Sequence, residues 1–263
     1  MSRFFMKIDS QRMTILRMKI LLSCACLAVL IALAPGQQAY ARVFVLSTFI
    51  GNPYSTPEGT GALDLIIKEA FRRIGQKAEI IYLPSERGLS NANRGVDDGD
   101  FVRVSGLEKE YRNLVMVPEK LVEFEFTVFT KDPSIRTRGW ESLKPYNVGI
   151  IKGWKILERN ISGVRSLMEV KDPDTLFVLL VKGHADVVVC DRVLGENLIK
   201  KRGLNGVRAL GPPLARRGMY IYLNRRNADL APRLAMAIRQ MKQDGTFQRM
   251  ESAPRTMESS PRQ

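Results

Sequence analysis

The sequence predicts an α/β fold of mostly parallel sheets flanked by helices. Three observations carry that prediction. Strand-like and helix-like segments alternate from residue 43 onward. Residues 62–74 place Leu63, Ile66, Ile67, Ala70, Phe71 and Ile74 three and four positions apart, with Gly75 as the stop. Val187-Val188-Val189-Cys190, within a strand over 185–190, is an apolar run that ends at an acid, the pattern of a buried strand. Alternation of this kind builds βαβ units, and apolar recurrence at helical spacing marks the face each helix turns to the sheet.

In chain order, residues 43–47 read as a strand, followed by a long Gly- and Pro-rich loop to Gly61. The 62–74 helix follows, then a strand at 80–83, a helix starting at Pro84-Ser85-Glu86 and running over 87–94, and a short strand at 100–104. Residues 123–131 alternate and are rich in β-formers; 147–151 reads as a strand and 155–160 as a helix. Asp172-Pro173 opens a helix over 175–182, an acid cap with proline in the first turn, and Gly183 stops it. After the 185–190 strand come a helix at 193–200, a strand at 219–223 and an amphipathic helix over 229–243. The tail from Glu251 is Ser, Pro, Arg and Glu and reads as disordered.

The N-terminus reads as an export signal. Arg12, Arg17 and Lys19 precede an uncharged stretch over 20–34, and Ala39-Tyr40-Ala41 supplies a small-x-small exit. That stretch is shorter than the roughly 18 to 20 residues that span a bilayer. Cleavage after Ala41 implies a periplasmic protein with no membrane span. It also lowers the formal net charge from +14 to +10, since five of 41 basic and one of 27 acidic residues leave. Export and interspersed charge argue against nucleic acid as a partner. Of the three cysteines only Cys190 remains, and His184 is the only histidine. Neither a disulfide framework, nor a His/Cys metal cluster, nor a placed Ser-His-Asp relay can be assembled from these, so no cofactor is expected.

In parallel sheets the ligand crevice lies beyond the carboxyl ends of the strands. That rule singles out Tyr54 in the first long loop, Arg87 and Arg103 after the second and third strands, Trp154 after Lys152-Gly153, and Asp191 after the 185–190 strand. Arg suits bidentate contact with a carboxylate, and an aromatic ring can wall a pocket. Asp191 has a second reading, the N-cap of the following helix.

The same segments carry a family resemblance. Asn52-Pro53-Tyr54, Gly61-Ala62-Leu63-Asp64, Asp100 in its short strand, Asn147-Val148-Gly149-Ile150, the 183–191 run and Asp244-Gly245-Thr246-Phe247 resemble, in order, the extracytoplasmic solute-binding proteins of the amino-acid type, family 3. The resemblance implies a two-lobed, type II periplasmic binding protein fold. One lobe would comprise residues 42–127 plus 220–250 and the other 128–219, with crossing strands near 126–130 and 219–223 as the hinge. It implies a monomer that captures a small polar, amino-acid-like or carboxylate ligand and passes it to a membrane permease without catalysis. Asp191 would pair with a ligand ammonium. The Thr-x-x-Arg carboxylate clamp of such proteins is missing: 103–108 reads Arg-Val-Ser-Gly-Leu-Glu. Two other readings remain open, a lyase or dehydratase using Glu58 or Glu86 as its acid, and a ligand-sensing partner of a membrane receptor.

Overall fold

Two sets of three parallel strands, each closed by one antiparallel strand, make up the sheet of this protein. The structure is a computed structural model and describes residues 42–252; residues 1–41, expected as the export signal, and 253–263 lie outside the described residues. In the first set, β1 (Val43–Thr48) pairs in parallel with β2 (Lys77–Tyr82) and β3 (Gly99–Val104). In the second, β6 (Asn147–Ile151) pairs in parallel with β7 (Ser166–Val170) and β8 (Val187–Asp191). Two long strands, β5 (Val122–Thr130) and β10 (Ala215–Asn224), join the sets, giving the order β2-β1-β3-β10-β5-β8-β6-β7. Short β4 (Leu114–Met116) adds to β10 and β9 (Arg208–Ala209) to β5.

The helices follow from the apolar patterns. In α1 (Ala62–Arg73) the stripe Leu63, Ile66, Ile67, Ala70 and Phe71 is buried against β2 and the two C-terminal helices, α6 (Leu230–Gln243) and α7 (Thr246–Ser252). Between them lie α2 (Ser85–Arg94), α3 (Lys155–Asn160), α4 (Pro173–Val181) and α5 (Arg192–Arg202). Asp172 caps α4 by accepting from Thr175 N at 2.7 Å, with Pro173 in the first turn. The acidic turn before β3 also has a structural task. Asp98 accepts from Val45 N at 3.0 Å, Arg226 Nη2 at 2.7 Å and Asn227 Nδ2 at 3.0 Å, and pairs with Arg42. Burial opposes the Asp98 charge, but these donors outweigh it and leave the pKa below the ordinary carboxylate value.

The structure shifts several sequence expectations. β5 and β10 run against each other over 122–126 and 215–219, four residues before the expected crossings. Beyond those stretches, β5 pairs with β8 and β10 with β3. The cause is burial: the apolar signal marks the interior end of each strand, whereas the crossing ends are half-exposed. Glu251 and Ser252, expected in a disordered tail, belong to α7, which Phe247 anchors in the core. β2 starts at Lys77, three residues early, with a half-exposed edge-strand pattern. Cys190 is buried, as its apolar run implies, and His184 is exposed in its turn. Among the described residues no helix is long and apolar enough to cross a membrane.

Candidate functional site

Within each parallel set the strand order reverses direction once, between β1 and β3 and again between β6 and β8, and a crevice opens beyond the carboxyl ends at such points. Those four ends carry Phe49 after β1, Arg103 in the last turn of β3, Gly153-Trp154 after β6, and Asp191 closing β8. The first three of these ends meet over the joining strands, where Phe126 and Met219 join them around one cavity.

The first long loop is ordered from below by Asp64 of α1. Its carboxylate accepts from Ser55 Oγ at 2.6 Å, Thr56 N at 3.0 Å and Gly61 N at 2.9 Å. Burial raises the Asp64 pKa, and these donors hold it back. Tyr54, fixed by this loop, packs on Phe124 with ring centroids 5.2 Å apart and donates its hydroxyl proton to Asp191 Oδ2 at 2.8 Å. Asp191 also accepts from Leu194 N at 3.1 Å as the cap of α5, and from Glu125 N at 3.1 Å. The capping reading of Asp191 is the one seen: it caps α5, and the same carboxylate receives the Tyr54 hydroxyl. Burial raises its pKa, opposed by the Leu194 N–H, the Tyr54 hydroxyl and the Glu125 N–H.

Arg103 is aimed by a bulge. The pairing of β3 with β10 slips between Tyr220 and Ile221, and Val102, unpaired there, takes φ 64°. A β-branched residue with positive φ is an outlier, and an extra residue in one strand re-aims its neighbour. Arg103, 3% exposed, thereby reaches Asp100 three residues back, forming a buried pair through Nε and, at 2.9 Å, through Nη2. Its remaining protons go to Ser85 Oγ at 2.6 Å, Ser85 O at 2.7 Å and Gly153 O at 3.4 Å. The guanidinium lies 4.8 Å over the Phe49 ring. Burial raises the Asp100 pKa while Arg103 and the Ser47 hydroxyl, at 3.1 Å, pull it down.

Trp154 is 4% exposed and sits among aromatic rings, 5.4 Å from Phe49, 6.1 Å from Phe124 and 5.9 Å from Phe126. Its indole N–H is buried without a hydrogen-bond partner. Gly153 before it has φ 87°, and the turn approaches α2 so closely that a Cβ would lie 2.6 Å from Glu86 N. Around the rim, Lys155 Nζ binds Glu86 at 2.7 Å and Glu158 at 2.8 Å, and Arg159 binds Glu110 at 2.8 Å. Burial disfavours the Lys155 ammonium, yet the two carboxylates outweigh it and raise its pKa. Between the walls a cavity of about 20 Å³ remains, lined in part by Phe49, Arg103, Phe126, Trp154 and Met219, room for about one water molecule.

Of the five sequence candidates, Arg103 and Trp154 line this cavity, whereas Tyr54 and Asp191 bond to each other and are not among its lining residues. Arg87 is exposed on α2 and is not among the residues lining the cavity. Sequence reasoning missed Phe49, Phe124, Phe126 and Asp100. Phe49 was signalled by its place just after a strand, and Phe124 and Phe126 only as alternate apolar positions within β5. Glu58 is exposed, and Glu86 is held by Lys155. Among the described residues no group of three or more His, Cys, Asp or Glu could hold a metal ion.

No protein-family model matches the chain. An uncharacterized protein of Shewanella oneidensis is 26% identical over 197 residues, which cover 71% of this chain and 73% of its own. Among solved structures, the substrate-binding protein of an amino acid ABC transporter matches with a TM-score of 0.68 at 17% identity, over 80% of this chain and 97% of its own. The GluR0 ligand-binding core of Nostoc punctiforme, in complex with L-glutamate, gives 0.67 at 19% identity over 79% and 95%. A histidine kinase sensor domain similar to periplasmic binding proteins gives 0.67 at 16% over 80% and 94%. The chain has the two-lobed fold of the periplasmic solute-binding proteins.

Proposed function

We propose that this protein captures a small polar solute between two lobes outside the cytoplasm and releases it to a membrane permease. One observation carries the reading: the crevice is built from both parallel sets, with Tyr54 of one reaching Asp191 of the other. A site divided in this way binds most tightly when the halves close, so solute binding and closure stabilise each other. On this reading residues 42–127 with 220–250 form one lobe and 128–219 the other. Tyr54, Arg103, Trp154 and Asp191 are the residues facing the solute. The apolar stretch and Ala-x-Ala exit at the N-terminus support export, with cleavage after Ala41 and a monomeric mature chain. Nothing in this role requires chemistry, and neither acid of a lyase reading lines the cavity: Glu58 is exposed and Glu86 is paired with Lys155.

The test is native mass spectrometry of the mature chain purified gently from its own host. A retained small molecule, released on unfolding, is expected; a chain that carries none and stays equally compact with and without a small-molecule extract would refute the proposal. The likeness to a kinase sensor domain favours one alternative, delivery of the solute to a receptor, and a pull-down of membrane proteins with the solute-loaded form separates permease from receptor.

A further inference from the structure

The polar groups facing the crevice are already matched with one another, and this bears on what can enter. An α-amino acid brings one carboxylate and one ammonium, and enclosing either charge is costly unless a charged partner receives it. Arg103 has five N–H donors, and all five are engaged: two on Asp100, two on Ser85 and one on Gly153 O. Four of those bonds run to residues 85 and 100, on the same parallel set as Arg103, so they persist when the halves part. Asp191 receives three hydrogen bonds: one from the Tyr54 hydroxyl, one from Glu125 N on the joining strand β5, and one from Leu194 N on its own helix. Lys155 is shared by Glu86 and Glu158. The aromatic walls are the rings of Phe49, Phe126 and Trp154. One polar atom stands out from this pattern, the buried, unpartnered indole N–H of Trp154, a residue that lines the cavity.

We infer that the site, on parting its halves beyond the single-water cavity seen here, selects an uncharged solute, a planar apolar body bearing one hydrogen-bond acceptor for the Trp154 N–H, and excludes free α-amino acids. The inference rests on the solute-binding reading above and narrows its ligand class. Aromatic walls favour a flat body through face and edge contacts, and an acceptor paired with the orphaned donor satisfies a group that is costly to leave bare.

Four probes with the same ring and different charge test this by isothermal titration calorimetry at pH 7: benzamide, benzoate, phenethylamine and L-phenylalanine. Benzamide is expected to bind at least about tenfold more tightly than each charged probe, as a single unpaired buried charge or donor suffices for that ratio. A charged probe binding as tightly as benzamide overturns the inference, as does no binding by any of the four up to about 10 mM, below which affinity is negligible. Trp154→Phe keeps an aromatic side chain and removes the donor together with the five-membered ring. It is expected to weaken benzamide about tenfold and to lower thermal stability through the lost packing; unchanged affinity of the folded variant overturns the role of the indole N–H. The two proposals fail separately. A copurified solute that is charged refutes the narrower one and leaves solute capture standing, whereas the absence of any bound solute or compaction refutes solute capture itself.

Discussion

Replacing Gly153 with alanine should prop the two halves apart. At φ 87° the glycine occupies a backbone region that costs alanine about 1 to 2 kcal/mol, in either conformation, because the strain is local to the turn. The second cost is conditional. A Cβ at 153 would stand 2.6 Å from Glu86 N and 2.7 Å from Ser85 Oγ, both carried by the other half of the molecule. Carbon contacts become comfortable only near about 3.5 Å, so α2 or the 152–154 turn must retreat by roughly 0.9 Å. Overpacking on this scale costs about 1 to 3 kcal/mol, and it burdens the closed arrangement alone. Converted to populations, that is a shift of roughly 5- to 150-fold toward the open form. Small-angle scattering of Gly153→Ala should therefore give a larger radius of gyration than the parent chain, together with weaker solute binding. A variant that scatters like the parent and loses only the local strain in a urea titration would refute the view that this turn meets α2 across a closing cleft.

Three further substitutions probe the site and the fold. Arg103→Ala or Asp100→Ala should each lower stability by about 3 to 5 kcal/mol, since each strands a buried charge, whereas the apolar pair Asp100→Leu with Arg103→Met should cost far less; urea midpoints of the three variants decide it. Tyr54→Phe removes the donor to the Asp191 carboxylate and should weaken closure by about 1.5 to 3 kcal/mol. Its effect should shrink in an Asp191→Asn background, where the oxygen that caps α5, the same one that accepts from Tyr54, remains but its charge is lost. For acid stability the sign is fixed by the lowered pKa of Asp98. Its contribution is present above the unfolded value of about 3.9 and is lost as pH falls through the lower folded value. Asp98→Asn should thus flatten the stability profile below about pH 5. Asp191, whose pKa is raised, acts oppositely: its ionisation costs stability as pH rises through its folded value.

Much of the fold was legible because single residues settle it locally. The apolar stripe of α1, the Asp172 cap with Pro173, and the uniformly apolar run ending at Cys190 each admit one reading, and each is seen in the structure. The missed strands lack such signals. β7, with Ser166, Leu167 and Glu169 exposed, is an edge strand, while β4 and β9 are three and two residues long and exist only because β10 and β5 offer free edges. The site was legible as a set of strand ends and not as chemistry. Arg103 reads from sequence as an available carboxylate clamp, because a strand normally turns residues 100 and 103 to opposite faces. The bulge at Val102 cancels that alternation and delivers Arg103 to Asp100. No residue type at 102 announces it, since valine is a poor choice for positive φ.

The most direct test of solute capture between closing halves is a distance measured across the cleft mouth. Spin labels placed by Glu58→Cys and Lys152→Cys sit on exposed rim residues of opposite halves, and Cys190, fully buried, stays unlabelled. Pulsed electron paramagnetic resonance should then show a broad distribution in the free chain, collapsing to one short distance with the copurified solute and remaining long in Gly153→Ala. An identical distribution in all three samples would contradict closure about a solute.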